Sequence, residues 1–315
     1  MRRIAILYNP RSGRASSRRR AEVERAASVF RAHRLEVEMQ ATAGARCADR
    51  QARDFIAAGF DTIVASGGDG TVHDVLQGMV GTQATLGVLP LGTANSLACD
   101  LGLARDPAKA AAQLLASESR RIAVGRIEYQ GTTGCESRYF TVAAGVGVDA
   151  ALFYELNARS KQRWGMAAYV VESLRQWMVQ KFYPFAVEWV DSDRRKQSAV
   201  VTQLLVVRIA DFGGVLNQLA PGAGLSRDDF RLVLFQTASR ARYLRFALGR
   251  LVGRDWRDPH IALVYATEVT CSPHSQGTDR PPAIYSEADG ELLGRLPVRI
   301  SIVPNSLSLL IPPKT

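Results

Sequence analysis

The residues with the most chemical reach are Gly67, Gly68, Asp69, Gly70 and Thr71, three glycines around one carboxylate, set between the apolar run 61–65 and a helical run 72–80. A strand that ends in glycines and then opens a helix presents backbone N–H groups and a helix N-terminus outward, which suits a phosphate. The string is not a Walker A loop, because no Gly-Lys-Ser/Thr follows. It is not a dinucleotide fingerprint either, because the third glycine of G-x-G-x-x-G is missing. A cradle built only for anions would avoid Asp69, whereas one that also organises a metal ion or a proton on a reacting hydroxyl has a use for it. A plain tight turn is the competing reading.

Two further loops weigh against that turn. Pro90-Leu91-Gly92-Thr93-Ala94-Asn95-Ser96 again joins a strand to a helix start, with Thr93 and Asn95 placed to cap the helix or to bond a nucleotide oxygen. Asn9, Pro10, Arg11, Ser12, Gly13 and Arg14 follow the first apolar run in the same way.

The elements that position these loops follow from periodicity. Up to about residue 127, short apolar runs at 3–8, 35–39, 61–65 and 85–89 alternate with helical patterns. Those helical patterns are carried by Val23, Ala26, Ala27 and Phe30, by Ala48, Ala52, Phe55 and Ile56, and by Val72, Val75, Leu76 and Met79. This is the rhythm of a parallel sheet covered by helices, and it places all three loops on the carboxyl rim where open α/β sheets bind ligands. Beyond 127 the chain turns to strand-like runs at 138–143, 185–190, 200–209, 231–236, 262–270 and 298–303, an antiparallel sandwich interrupted by helices at 165–181 and 240–253. The expected division is an α/β nucleotide-binding domain over 1–127, completed by the tail 304–315, and a β-sandwich domain over 128–303.

A chain of 315 residues accommodates two such packed units. Forty Lys and Arg against thirty Asp and Glu give a net charge of +10, which favours nucleotides, nucleic acids or anionic lipids as partners. The basic residues are spread along the chain and no recognition module stands out, so nucleic acid is not the expected partner. Cys47, Cys99, Cys135 and Cys271 make no C-x-x-C pair, and the four histidines no H-E-x-x-H, so neither a disulfide framework nor a zinc site is suggested. No segment reaches the roughly 18 apolar residues of a membrane span, and the first residues run straight into a strand, so a cytoplasmic protein is expected.

Two helical segments offer apolar surface. Residues 240–254 hold Tyr243, Leu244, Ala247, Leu248 and Leu251 among five arginines, a pattern that fits an anionic membrane or a helix laid over the sandwich. The 165–181 helix could line an acyl-chain pocket or simply pack in the core. Arg18-Arg19-Arg20 and Arg194-Arg195-Lys196 read as solvated surface.

The strings YNPRSGR, SGGDGTVHDVLQG, LGVLPLGTANSLACDLGL, AAGVGVDA and EADGELLGRLPVRISIVPNSLSLLIP, in this order from Tyr8 to Pro312, resemble the diacylglycerol kinase catalytic family. That family comprises soluble bacterial lipid kinases related to the sphingosine and ceramide kinases, in the NAD kinase-like superfamily. The glycine-Asp-glycine motif alone is shared with NAD kinases and phosphofructokinases; its combination with PLGTAN and a late DGE is more specific.

The resemblance implies an NAD kinase-like α/β domain and an antiparallel β-sandwich with the active-site cleft between them, and ATP- and Mg²⁺-dependent phosphoryl transfer to a lipid hydroxyl. It assigns nucleotide contacts to Asn9, Pro10, Arg11, Ser12, Gly13, Thr42, Gly67, Gly68, Asp69, Gly70, Thr71, Gly92, Thr93 and Asn95. Glu291 becomes the proton acceptor, Asp69 a metal- or nucleotide-stabilising carboxylate, and Asp289 a metal or orienting one. Read without the family, Asp289-Gly290-Glu291 is an exposed hairpin turn. Where relatives carry Asp-Asp-Gly at a structural magnesium ion, this chain reads PGAGLSRDDFRLV, so Asp228 and Asp229 stand shifted as candidate metal ligands.

The lipid would be met at the inner membrane face by transient peripheral contact, and a homodimer is compatible with the pattern. Competing functions are a kinase of a soluble acceptor, of the NAD kinase kind, and a nucleotide-binding regulator without catalysis.

Overall fold

A computed structural model describes residues 1–12, 18–44, 46–132, 134–147, 181–191, 193–213, 219–254, 256–274 and 283–313. The chain divides into two compact units: the described residues of 1–124, 211–215 and 303–315, and those of 125–210 and 216–302.

The first unit alternates strand and helix, as the apolar periodicity requires. Its elements are β1 (Arg3–Tyr8), α1 (Arg19–Ala32), β2 (Glu36–Ala41), α2 (Ala48–Ala57), β3 (Thr62–Gly67), α3 (Asp69–Met79), β4 (Thr85–Pro90), α4 (Ser96–Asp100) and α5 (Pro107–Leu115). The first residues of β5 (Glu118–Gln130) and the end of β15 (Glu291–Ile311) also belong to it. The strands lie in the order β2-β1-β3-β4-β15, every neighbouring pair parallel. Ile4, Ala5, Ile6, Leu7, Ile63, Val64 and Ala65 are fully buried, as expected of strands covered on both faces. β2 forms the sheet edge and carries Glu36 and Glu38, charges that discourage further strand pairing.

The helical faces are the anticipated ones. Val23, Ala26, Ala27 and Phe30 are buried on α1, Ala48, Ala52 and Phe55 on α2, and Val75, Leu76 and Met79 on α3. The last strand is tied to this unit by Arg121, whose guanidinium donates to the carbonyls of Thr82 at 2.8 Å and Asn305 at 2.5 Å.

The second unit is antiparallel. It holds the rest of β5 and β15 with β6 (Cys135–Phe140), β7 (Ala143–Gly147), β8 (Phe185–Val190), β9 (Lys196–Val201), β10 (Gln203–Val207), β11 (Phe230–Phe235), α6 (Arg240–Leu251), β12 (Ile261–Ala266), β13 (Glu268–Pro273) and β14 (Tyr285–Ala288). One row runs β12-β11-β10-β7-β14-β15, and β13, β8 and β9 continue from β15. Phe140, Phe185, Phe230, Leu232 and Val206 are at the centre of its core.

Three apolar runs that read as single strands are each broken in two. The run 138–143 divides between β6 and β7, 200–209 between β9 and β10, and 262–270 between β12 and β13. Hydrophobic periodicity continues across a corner, so it cannot mark one. At Thr202 the hydroxyl supplies the mark instead, bonding the Phe235 carbonyl at 3.2 Å and the Tyr243 hydroxyl at 2.8 Å. The 165–181 helix falls outside the described residues apart from Lys181, and Gly13 and Arg14 are outside them too.

The α2–α3 contact is close enough to demand glycine. A Cβ on Gly78 would sit 2.2 Å from the carbonyl oxygen of Asp49 and 3.1 Å from the Cβ of Ala52. Gly78→Ala therefore forces the two helices apart and should cost about 1–3 kcal/mol of stability despite the better helix propensity of alanine. Urea unfolding checks this; an unchanged or raised midpoint would show that the helices have room.

Candidate nucleotide site on the carboxyl rim

Parallel pairing brings the ends of four strands together within the first unit. Tyr8 pairs with Ala41 and Ser66, and Gly67 with Pro90, so Asn9, Thr42, Gly68 and Leu91 all emerge on the carboxyl side. Backbone bonds stitch these exits: Asn9 N donates to Ser66 O at 3.0 Å, Thr42 N to Tyr8 O at 2.9 Å and Leu91 N to Gly67 O at 2.8 Å. Asn9 also shapes its own loop, its Oδ1 accepting from Arg11 N at 2.9 Å and its carbonyl from Ser12 N at 3.2 Å.

The glycine motif is shorter as a loop than its sequence suggests. β3 extends to Gly67, extended Gly68 is the cap, and α3 already begins at Asp69, so Gly70 and buried Thr71 belong to the first helical turn. Gly67 is buried, and the part left open is Gly68 together with the amides that start α3. The PLGTAN loop is pressed directly against it: a Cβ on Gly92 would lie 2.5 Å from the Cα of Gly68.

Asp69 locks the two loops. Its Oδ2 accepts from Asn95 N at 3.0 Å and its Oδ1 from Ser96 N at 2.6 Å, so one carboxylate begins α3 and satisfies amides at the start of α4. Asn95 occupies the left-handed region, with φ 57° and ψ 51°. The sequence offers its side chain as a helix cap or a nucleotide contact, and the structure shows no side-chain cap bond. The amide instead closes a ring with Gly92, Oδ1 accepting from its N–H and Nδ2 donating to its carbonyl, each at 2.8 Å. Thr93, at the exposed tip of this loop, lines a cavity of about 140 Å³ with Gly92, Arg19 and Arg105. Arg19 belongs to the triplet read as solvated surface, yet its side chain is only 12% exposed, donates to Ser12 O at 2.6 Å and pairs with Glu22. Periodicity gives no warning, because α1 begins only at Arg19.

In the second unit Asp289 and Gly290 form the hairpin turn between β14 and β15, both with positive φ, 49° and 81°. The Asp289 carboxylate is not exposed. It accepts from three amides at the β6–β7 corner, Thr141 at 3.0 Å, Val142 at 2.9 Å and Ala143 at 3.1 Å. Buried Glu287, which the sequence did not single out, accepts from Gly290 N at 2.9 Å. Just beyond these two anchors, Glu291 is left exposed at the start of β15.

Of the two candidate metal ligands, Asp228 is exposed and Asp229 is engaged by an arginine. Arg227 grips Asp229 through two bonds of 2.6 Å and lies over the Tyr265 ring, 4.1 Å from its centre. Beneath them the 1%-exposed Arg208 donates to the carbonyls of Arg227 and Asp229 at 2.7 Å each. Burial pushes the Arg208 guanidinium down to about 10, opposed by Asp228 and Asp229, so it remains charged at neutral pH. Fixed cations already occupy the polar environment a metal would need, and no cluster of three or more candidate ligands occurs among the described residues.

Comparison with known proteins places these features in a family. Residues 3–127 match the diacylglycerol kinase catalytic domain, and residues 141–311 match the YegS C-terminal NAD kinase beta sandwich-like domain. The chain is 30% identical to a diacylglycerol kinase of Bacillus subtilis over 94% of its length and 92% of the relative's. With a diacylglycerol kinase of Mycobacterium tuberculosis the identity is 29%, over 98% and 95% of the two chains. A crystal structure of a diacylglycerol kinase from Bacillus anthracis superposes with a TM-score of 0.71 at 19% identity, covering 99% and 97%. Yeast NADH kinase has the same fold at a TM-score of 0.52 and 9% identity, over 100% of this chain and 84% of that one.

Two expectations follow from the geometry. Asp69→Asn keeps one acceptor but turns an NH₂ toward a backbone N–H, so it should lower stability by about 1–3 kcal/mol as well as impairing the site. A mutant that melts with the wild type would reduce the carboxylate to a bystander in the fold. Excess EDTA should leave thermal unfolding of the nucleotide-free protein unchanged, while Arg208→Met, which strands two partly buried carbonyls, should lower stability by about 2–4 kcal/mol. Stabilisation by Mg²⁺ without nucleotide would place an ion where Arg227 now sits.

Proposed function

The chain belongs to the diacylglycerol kinase family, phosphotransferases with an alcohol acceptor, and from that membership we propose that it transfers the γ-phosphoryl group of ATP to a lipid hydroxyl. The acceptor class is a diacylglycerol or a related glycerolipid or sphingoid base. The observation that carries the nucleotide half of this reading is the backbone contact of Gly68 with Gly92, locked by Asp69. It supports a floor of N–H groups on which phosphates can approach the main chain without meeting a side chain.

Asn9, Thr42, Gly68 and Thr93 are the residues we assign to the nucleotide, with Arg19 and Arg105 supplying positive charge beside Thr93. Mg²⁺ enters with ATP as part of the substrate and neutralises charge on the β- and γ-phosphates. Asp69 holds the two loops in register. Glu291 takes the proton of the acceptor hydroxyl, whose oxygen forms the new bond to γ-phosphorus as the bond to ADP breaks. Asp289 and Glu287 position Glu291 by fixing the turn that precedes it. Phosphoryl transfer requires chiefly positioning and charge neutralisation, so this inventory suffices. The protein would act on lipid presented at the inner face of the membrane; among the described residues no helix is long and apolar enough to cross a membrane.

Purified protein given labelled ATP, Mg²⁺ and mixed lipids should yield a labelled, chloroform-extractable product. Glu291→Gln should lower kcat at least about 100-fold, the usual scale of a proton acceptor, with no change in melting because the side chain is exposed. Label appearing in NADP with no lipid product would instead assign a soluble acceptor, and nucleotide binding without transfer to any acceptor would assign a regulator.

A further inference from the structure

α6 has two faces of different character. Tyr243 and Phe246 face inward: Tyr243 stacks on Phe235 at 4.3 Å, and Phe246 meets the same ring edge-on at 5.3 Å. Leu244 and Leu248, one turn apart on the other face, are 44% and 50% exposed, and Val252 and Trp256 extend the line at 56% and 36%. Only seven large apolar side chains are this exposed among the described residues, so four of them in a thirteen-residue stretch make a ridge, not scatter.

The charges on the helix itself are of one sign, with Asp255 and Asp258 following it. Residues 240–254 contain five arginines and no carboxylate. Three have work within the fold: Arg242 pairs with Asp258 at 2.6 Å, Arg240 lies over Phe182, and Arg250 is buried against Phe246. Arg245 and Arg254 are exposed and paired with no carboxylate among the described residues. A helix that merely covers a sandwich would turn a mixed-charge face to water; this one turns leucine and arginine that no described carboxylate pairs.

We propose that the outer face of α6, continued through Val252 and Trp256, docks the protein on anionic lipid bilayers. The convex apolar ridge suits the boundary between headgroups and acyl chains, Trp256 suits the interface, and Arg245 and Arg254 reach lipid phosphates with their stems along the apolar layer. The docking surface deepens the lipid-kinase reading and rests on it for its purpose, but the binding itself is measurable without catalysis.

The test is sedimentation of the full chain, without ATP, with phosphatidylcholine vesicles that contain or lack phosphatidylglycerol. The wild type should partition onto the anionic vesicles, and Leu244→Ser with Leu248→Ser should weaken that partition about tenfold or more. Arg245→Glu with Arg254→Glu should weaken it too and remove its dependence on phosphatidylglycerol. Both variants change exposed side chains, so melting and turnover of a detergent-dispersed acceptor should stay at wild-type values. Variants that sediment like the wild type, or a wild type that phosphorylates dispersed lipid yet ignores vesicles, would overturn the docking surface. Loss of a wild-type dimer in the leucine variant, with vesicle binding intact, would overturn it in favour of a second copy of this chain. Vesicle binding without phosphorylation of any lipid would sink the kinase reading and leave the docking surface standing.

Discussion

The candidate site depends on one carboxylate holding two amides that lie 26 and 27 residues further along the chain. Asp69 is in the first turn of α3, where the aligned peptide dipoles favour a negative charge. From there it reaches the start of α4 and takes two N–H groups that the short helix cannot satisfy internally. The backbone of Gly92 is thereby drawn onto that of Gly68, and a side chain on Gly92 would separate the loops. A carboxylate beside a phosphate site would ordinarily repel the ligand. With both oxygens bonded to N–H groups, much of its field is directed into the fold, and the positive charge beside the rim comes from amides, from the mostly buried Arg19 and from exposed Arg105.

The same device recurs in the second unit. Asp289 gathers three amides at a strand corner, and Glu287 takes the amide of Gly290 in the turn that Asp289 begins. Acid groups thus fix loop shape at both candidate positions, and only Glu291 is left facing solvent. Where relatives are expected to use a metal, this chain uses guanidinium groups: Arg208 ties two carbonyls from below and Arg227 clasps Asp229 from above. Arginine can do this because its donors are planar, fixed and charged at any ordinary pH.

Much of this was legible in the sequence, for physical reasons. The parallel half announces itself through Ile4–Leu7 and Ile63–Ala65, strands buried on both faces, and through helices whose buried residues recur every three or four positions. Once the strands are placed, topology alone puts Asn9, Thr42, Gly68 and Gly92 on one rim. Illegible was whatever depends on partners distant in sequence. Asn95 looks like a cap and instead braces Gly92, Asp289 looks like a solvated turn residue and is buried under three amides, and Arg19 looks like surface and is held beside Ser12. Corners inside apolar runs, as at Thr202, are hidden because burial continues through them.

A kinase that takes its acceptor from a bilayer must solve two problems with opposite electrostatic demands. Its nucleotide rim has to attract a highly charged anion, yet the membrane that supplies the lipid is an anionic surface competing for the same cations. The chain separates the two chemically. On the rim, the proposed charge comes from backbone N–H groups in loops that Asp69 and Asn95 brace, with Arg19 held in place by its bond to Ser12 and its pair with Glu22. Around α6, by contrast, Arg245 and Arg254 flank exposed leucine and valine. A fixed N–H array discriminates by geometry and favours a phosphate that fits, whereas long cationic side chains beside an apolar ridge discriminate by depth and favour a fluid interface. The net charge of +10 on its own would predict unselective adhesion to any polyanion; on the proposed reading, amides of fixed direction on the rim and pliant arginines on α6 would let the two anionic partners be told apart.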